Sequence, residues 1–296
     1  MAKVATVAVV GRTNAGKSTL VNALVGEKVS IVSPVEQTTR NMVRGIVADP
    51  RGQLVLLDTP GLHKAIGNLG RALNRIARRT AAGADVACVV FDASCEPQME
   101  DLGWMARVAK EKPPKALFAL NKSDLAGFRR EAFEAAWRET PGSAETQVSW
   151  TCCSAATPGG EAPVLDALFA LADEGEPLFP DDVATDYPRR FAIADAIREK
   201  YIARLYRELP HELGVVVREI SETARGWEIE AVALVNRKSQ KPIAIGRGAE
   251  TVKAVRKAAE KEISEMFGVK ASLSLKVEVS PGWMNDPRLM AAMGYC

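Results

Sequence analysis

Near its amino terminus the chain reads Gly11-Arg12-Thr13-Asn14-Ala15-Gly16-Lys17-Ser18, with two glycines, a lysine and a hydroxyl at the spacing that wraps a polyphosphate. The glycines let backbone N–H groups close around β- and γ-phosphates. Lys17 supplies a compact positive charge to their oxygens, and the helix that follows adds the favourable end of its dipole. Gly11, Arg12, Asn14, Ala15, Gly16, Lys17, Ser18 and Thr19 are therefore the expected phosphate contacts, with the Ser18 hydroxyl on Mg²⁺.

Three further clusters follow in order along the chain. Asp58-Thr59-Pro60-Gly61 places a carboxylate where it can hold Mg²⁺ through water, and the Gly61 amide where it can sense a γ-phosphate. Asn121-Lys122-Ser123-Asp124 decides the base, because one carboxylate accepting two N–H donors fits the edge of guanine and leaves adenine unmatched. Asp124 thus points to GTP and GDP, with Asn121 tying loops together and Lys122 counted among the nucleotide contacts. Ser154-Ala155-Ala156 offers small residues beside which a backbone amide can approach the guanine oxygen. The chemistry implied is hydrolysis of GTP. Of the two histidines, His63 reads as an incidental loop residue, and no Ser/His/Asp or Cys/His arrangement supports a nucleophilic route. Asp92 and Glu100 read as ordinary strand-end and helix residues.

The elements that must position these clusters are legible in the hydrophobic pattern. Short, nearly continuous apolar runs at Val4–Val10, Leu54–Leu57, Val86–Phe91, Ala116–Leu120 and Val148–Cys152 suit parallel strands covered on both faces. Helical patterns at Lys17–Val25, Leu69–Ala82, Met99–Lys110, Phe128–Glu139 and Val164–Ala172 alternate with them. Residues 1–175 therefore read as a doubly wound α/β domain, with each cluster just after a strand, at the carboxyl edge where open sheets bind ligands. A polar, proline-containing stretch marks a linker at 176–188. Residues 189–296 then read as an α+β domain: a helix (Arg190–Leu209), strands (Leu213–Ile220, Trp227–Val235), a helix (Glu250–Phe267) and a strand (Ser272–Val279).

At 296 residues and 47% hydrophobic the chain can build two cores. Its net charge of +2 excludes neither partner class by itself, but the distribution is uneven: between Arg237 and Lys261 stand eight basic residues against two acidic ones. Five cysteines without paired spacing suit idle thiols in a reducing cytoplasm rather than a zinc site. The run Val4–Val10 is too short for a signal sequence, and no run approaches the roughly 18 to 20 apolar residues needed to cross a bilayer, so any membrane contact is expected to be peripheral.

The basic segment surrounds Ile245-Gly246-Arg247-Gly248-Ala249-Glu250, a glycine turn opening a helix. With the helix–strand–strand–helix–strand order, it resembles a type II KH domain, whose Gly-x-x-Gly loop clamps about four single-stranded nucleotides. Gly246, Arg247, Gly248, Ala249, Lys253, Arg256 and Lys257 are the expected RNA contacts, with Ala249 standing where the last glycine of the motif belongs.

The order of the guanine-nucleotide clusters, together with Gln37-Thr38-Thr39-Arg40, is similar to the group of GTPases containing Era, MnmE and Der. The carboxy-terminal half, including Glu208-Leu209-Pro210, Ser280-Pro281-Gly282-Trp283 and Met293-Gly294-Tyr295, resembles the Era family. The resemblance implies that Thr39 reaches Mg²⁺ and the γ-phosphate in the GTP state, Thr38 being the other register. Leu62 stands where Ras-like proteins keep a water-orienting glutamine. By the same resemblance Asn14 helps hold a K⁺ ion that supplies charge for hydrolysis, so Lys17, Thr39 and Asn14 are the expected catalytic set. The partners implied are 16S ribosomal RNA near its 3′ end and the 30S subunit during its maturation. The expected form is a cytoplasmic monomer, with a peripheral contact on the cytoplasmic face of the inner membrane. The competing expectations are an RNA- or ribosome-binding scaffold with a structural nucleotide, and a GTPase of tRNA modification.

Overall fold

The computed structural model describes residues 1–33, 39–61, 67–205 and 209–295. The chain forms two compact units that divide after Asp186.

In the first unit β1 (Lys3–Val10), α1 (Lys17–Val25), β2 (Val43–Asp49), β3 (Gly52–Asp58), α2 (Gly67–Gly83), β4 (Val86–Asp92), α3 (Met99–Glu111), β5 (Ala116–Asn121), α4 (Arg130–Glu139), β6 (Ser149–Cys152), α5 (Ala162–Leu171) and β7 (Asp173–Glu174) follow one another. The sheet runs β2-β3-β1-β4-β5-β6, with β7 pairing β1. The chain moves from β1 outward on one side to β3 and β2, and on the other to β4, β5 and β6. The crevice at the carboxyl end of β1 is therefore a topological switch point, the place where such sheets bind ligands. β1, β4 and β5 are almost wholly buried because helices cover both faces, which is why they read as continuous apolar runs.

Two elements depart from the expectation. β2 runs antiparallel to β3, in register from Val43 opposite Asp58 to Asp49 opposite Gly52, and β7 is antiparallel to β1. The β2 sequence Val-Arg-Gly-Ile-Val-Ala-Asp has no continuous apolar run, since Arg44 and Ala48 face solvent from an edge strand. The polar stretch beyond β7 is hydrogen-bonded to this edge: Leu178 and Phe179 N–H donate to the buried Gln53 side chain at 2.8 and 3.0 Å, Ile46 N–H donates to the Ala184 carbonyl at 2.8 Å, and Arg44 pairs with Asp186 at 2.8 Å.

The second unit contains α6 (Arg189–Ile202), α7 (Leu209–Glu212), β8 (Gly214–Thr223), β9 (Gly226–Val235), α8 (Lys241–Ile245), α9 (Glu250–Phe267), β10 (Ala271–Val279) and α10 (Pro287–Ala292). β8 pairs antiparallel and β10 parallel with β9. Apolar residues of α6 and α9 (Ile193, Ile197, Tyr201, Val255, Ala259, Ile263) meet Val215, Val217, Ile229, Ala231, Leu273 and Val277 of the strands in one core. The single helix expected over Arg190–Leu209 ends at Ile202, and the short α7 resumes with Pro210 in its first turn, where a proline's missing N–H is tolerated. Trp283 is fully buried and its indole N–H donates to the Glu212 carbonyl at 2.9 Å, which anchors the carboxy-terminal segment.

Candidate nucleotide and RNA sites

β1 delivers the chain at Val10 into the phosphate loop, and α1 begins at Lys17. Gly16 has φ +95°, and a Cβ there would lie 2.2 Å from Asn121 Nδ2, so only glycine lets the two loops approach this closely. Asn121 joins three segments. Its Nδ2 donates to the Ala15 carbonyl at 2.9 Å and its Oδ1 accepts from Ala155 N–H at 2.9 Å. Asp124 is exposed, and its Oδ1 accepts from Ser154 Oγ at 2.6 Å, which orients the carboxylate. The structure thus brings Ala15, Gly16, Asn121, Asp124, Ser154 and Ala155 to one rim of the crevice.

Lys17 is buried, and its Nζ donates to the Arg12 carbonyl at 2.7 Å. Burial lowers its pKa to about 8, with the Asp58 charge opposing. Gly61 closes the cradle from the other side: a Cβ on it would stand 2.8 Å from Thr13 N and 3.0 Å from Lys17 Nζ. Asn14 is exposed on the loop with φ +60°.

Ser18, Thr39 and Asp58 converge. Ser18 Oγ donates to Asp58 Oδ2 at 2.7 Å and lies 2.8 Å from Thr39 Oγ1. Asp58 Oδ1 is buried with no hydrogen bond within 3.5 Å among the described residues, and burial pushes the carboxyl above its usual range despite the Ser18 hydroxyl and the Lys17 charge. Two hydroxyls and an unsatisfied buried carboxylate oxygen suit a hard cation such as Mg²⁺. Thr38, Leu62 and His63 lie outside the described residues.

The Arg12 guanidinium is held by Asp92 at 3.0 Å and by the buried Asp101 of α3 at 3.2 Å and donates to the Thr13 carbonyl at 3.4 Å, while the Arg12 main chain lies in the loop. Asp92, read from sequence as an ordinary strand end, is the common partner of Arg12 and of Lys122, whose Nζ donates to Asp92 Oδ2 at 2.7 Å. Burial raises the Asp92 carboxyl, but hydrogen bonds from Lys122 and Ser94 with the Lys122 charge bring it below its ordinary value overall. One carboxylate therefore fixes the Gly11–Ser18 loop to the loop that carries Lys122 and Asp124. The sequence signal for it was a charge ending an otherwise wholly apolar strand at the ligand edge of the sheet. Replacing Asp92 with Ala leaves both cations short of a partner, and GDP binding is expected to weaken by about 1–3 kcal/mol, roughly 5- to 150-fold. Calorimetric titration measures this, and Asp92→Glu should recover part of the loss.

In the second unit α8 leads into Gly246-Arg247-Gly248-Ala249 and α9. Arg247, Lys253, Arg256 and Lys257 are exposed, the last three on one face of α9, and Lys253 Nζ reaches back to the Gly248 carbonyl at 3.3 Å. Beside the loop lies a groove of about 430 Å³ lined by Lys241, Ile245, Val252, Leu275, Lys276, Val277 and Glu278, apolar at its floor and charged at its rim. Ala249 retains the left-handed conformation, φ +64° and ψ +26°, that a glycine would adopt freely. That geometry costs an L-residue about 1–2 kcal/mol, so Ala249→Gly is expected to stabilise this unit by roughly 1 kcal/mol, seen as a higher midpoint in denaturant unfolding.

Residues 6–122 match the family described as 50S ribosome-binding GTPase, and residues 208–284 match the KH domain. GTPase Era of Synechocystis sp. is 35% identical over 292 residues, covering 98% of this chain and 91% of that protein. GTPase Era of Xanthomonas axonopodis pv. citri is 36% identical over 290 residues, covering 98% and 96%. The fold is similar, with TM-score 0.90 and 31% identity over 100% of both chains, to a crystal structure of Era in complex with MgGDPNP and nucleotides 1506–1542 of 16S ribosomal RNA. It is also similar, with TM-score 0.88 and 31% identity over 99% of each chain, to a single-residue variant of Aquifex aeolicus Era bound to GDP and AlF4⁻. With a GTPase domain and a KH domain in one chain that matches these relatives over nearly its full length, the chain is a GTPase and belongs to the GTPase Era family.

Proposed function

We propose that this chain is a GTP-driven switch that grips the 3′ region of 16S ribosomal RNA and acts in maturation of the 30S subunit. The observation that carries the reading is the full-length likeness to an Era that holds MgGDPNP and 16S nucleotides 1506–1542 together. We assign nucleotide chemistry to residues 1–175, a connecting role to 176–188 and RNA binding to 189–296.

Lys17 and the loop amides bind the β- and γ-phosphates, and Asp124 with the Ala155 amide selects guanine. Ser18, Thr39 and Asp58 hold Mg²⁺, which neutralises charge developing on the phosphates. Thr39 precedes β2 and Gly61 follows β3, so loss of the γ-phosphate withdraws a ligand from both loops. In the second unit Arg247, Lys253, Arg256 and Lys257 pair with the phosphates of single-stranded RNA while the groove beside Val252 and Leu275 takes bases. RNA biases the nucleotide state only as far as it binds the two states differently.

For hydrolysis, leucine at position 62 has no group with which to orient water, and Asn14 is placed on the exposed rim of the phosphate loop. Asn14 holds K⁺, and turnover is expected to fall about tenfold or more when NaCl replaces KCl; equal turnover in the two salts overturns this assignment. The protein works in the cytoplasm as a monomer, with any inner-membrane contact peripheral; no helix among the described residues is long and apolar enough to cross a membrane.

GTP turnover measured with and without the RNA of nucleotides 1506–1542 tests the switch. Turnover that changes with RNA, and loses that response in Arg247→Gln/Lys253→Gln, supports it. Tight guanine-nucleotide binding with no turnover in either condition identifies a scaffold with a structural nucleotide instead.

A further inference from the structure

The helix α2, which follows the Asp58–Gly61 segment in the chain, carries a second charged surface that the nucleotide and KH sites do not use. Its sequence Gly-Asn-Leu-Gly-Arg-Ala-Leu-Asn-Arg-Ile-Ala-Arg-Arg-Thr-Ala-Ala-Gly has four arginines, no lysine and no acidic residue. Leu69, Leu73 and Ala77 are buried at four-residue intervals, which fixes the inward face. Arg71, Arg75, Arg78 and Arg79 are exposed, and their spacing of three and four residues puts them on one outward face.

Among the other described exposed arginines of residues 1–186, all but Arg138 are matched by acids: Arg44 pairs with Asp186, Arg130 with Glu134, Arg129 with Glu96 and Arg51 with Asp49. Arg75, Arg78 and Arg79 have no acidic partner among the described residues. In a chain whose net charge is only +2, a helix of 17 residues with four charges of one sign is a local feature, not a reflection of overall composition.

We infer that this face of α2 binds backbone phosphates of ribosomal RNA outside the segment held by the KH loop, an inference that rests on the RNA-binding reading above. Charge complementarity selects a polyanion, and the exclusive use of arginine favours phosphate, which the planar guanidinium fork grips through two hydrogen bonds. From Arg71 to Arg79 the stripe spans about 12 Å of helix, a length over which a duplex presents roughly seven phosphates. Because α2 follows the residues that sense the γ-phosphate, this contact responds to the nucleotide directly and does not require a signal to reach the KH unit.

The test uses the full-length protein with a non-hydrolysable GTP analogue and purified small ribosomal subunits, binding being measured across a KCl series. Arg75→Gln/Arg78→Gln/Arg79→Gln is expected to weaken binding by about tenfold or more and to lower the slope of log affinity against log salt by about 2–3. GDP affinity and melting temperature should stay unchanged, because these side chains touch neither core nor cradle. A photoreactive benzoylphenylalanine in place of the exposed Ala82, on the same face, should crosslink to RNA. Unchanged affinity and slope in the triple variant overturn the inference, as does crosslinking to ribosomal protein alone, which would identify an acidic protein partner. Arg247→Gln/Lys253→Gln serves as the comparison. Binding lost in that variant but intact in the α2 variant sinks the α2 surface only. Binding lost in the α2 variant but intact in the KH variant supports α2 and sinks the KH reading.

Discussion

Lys17→Ala is expected to weaken GDP and GTP binding by about 10²- to 10⁴-fold, the loss of two charge-assisted hydrogen bonds to phosphate at roughly 1.5–3 kcal/mol each. The nucleotide-free protein should melt no lower than the parent. Lys17 sits buried against the Arg12 carbonyl, and burial has already depressed its pKa to about 8, so its charge is a burden on the empty fold. This pairing of outcomes is specific to a preorganised cation. Were Lys17 a structural residue, affinity and melting temperature would fall together. Titration calorimetry and a thermal melt without nucleotide separate the two.

Asp124→Asn should exchange one base preference for another. On the proposed assignment the carboxylate accepts from two N–H groups of guanine; the amide would keep one acceptor and present a donor where guanine also has one, but where xanthine has an oxygen. GDP affinity is expected to drop by about 10²-fold or more while xanthosine diphosphate gains by a comparable factor. Ser154 Oγ can still donate to the remaining side-chain oxygen, so the loop keeps its shape and the effect stays confined to recognition. Competition of the two diphosphates against a fluorescent nucleotide measures both changes, and an unaltered preference would remove Asp124 from the base site.

Much of this architecture is legible in the amino-acid sequence because the physics is local. The phosphate loop needs glycines at Gly11 and Gly16, a lysine at 17 and a hydroxyl at 18, and each requirement leaves a residue type at a fixed spacing. The strands of the parallel sheet, buried on both faces, announce themselves as apolar runs. What the sequence conceals depends on tertiary pairing. β2 is an edge strand whose antiparallel partner supplies its register, so its seven residues have little pattern of their own. Asp92 acquires its role only when β4 brings it between Arg12 and Lys122, residues 80 and 30 positions away in the chain. Arg12 shows the same dependence: its main chain lies in the phosphate loop, while its long side chain turns toward two carboxylates that no linear motif includes. Ala249 was visible as a departure from the KH pattern, and the backbone resolves what the change does: the loop keeps its left-handed turn and carries the strain.

One guanine nucleotide, held by amides and Lys17, is thus proposed to set the grip of a KH unit on ribosomal RNA. Ultraviolet crosslinking of the protein to cellular RNA in its GTP-analogue and GDP states, followed by sequencing of the attached fragments, tests this most directly. The expected product is a fragment from the 3′ end of small-subunit RNA, recovered mainly in the GTP-analogue state. Equal recovery of that fragment in both states, or recovery of unrelated RNA alone, would contradict it.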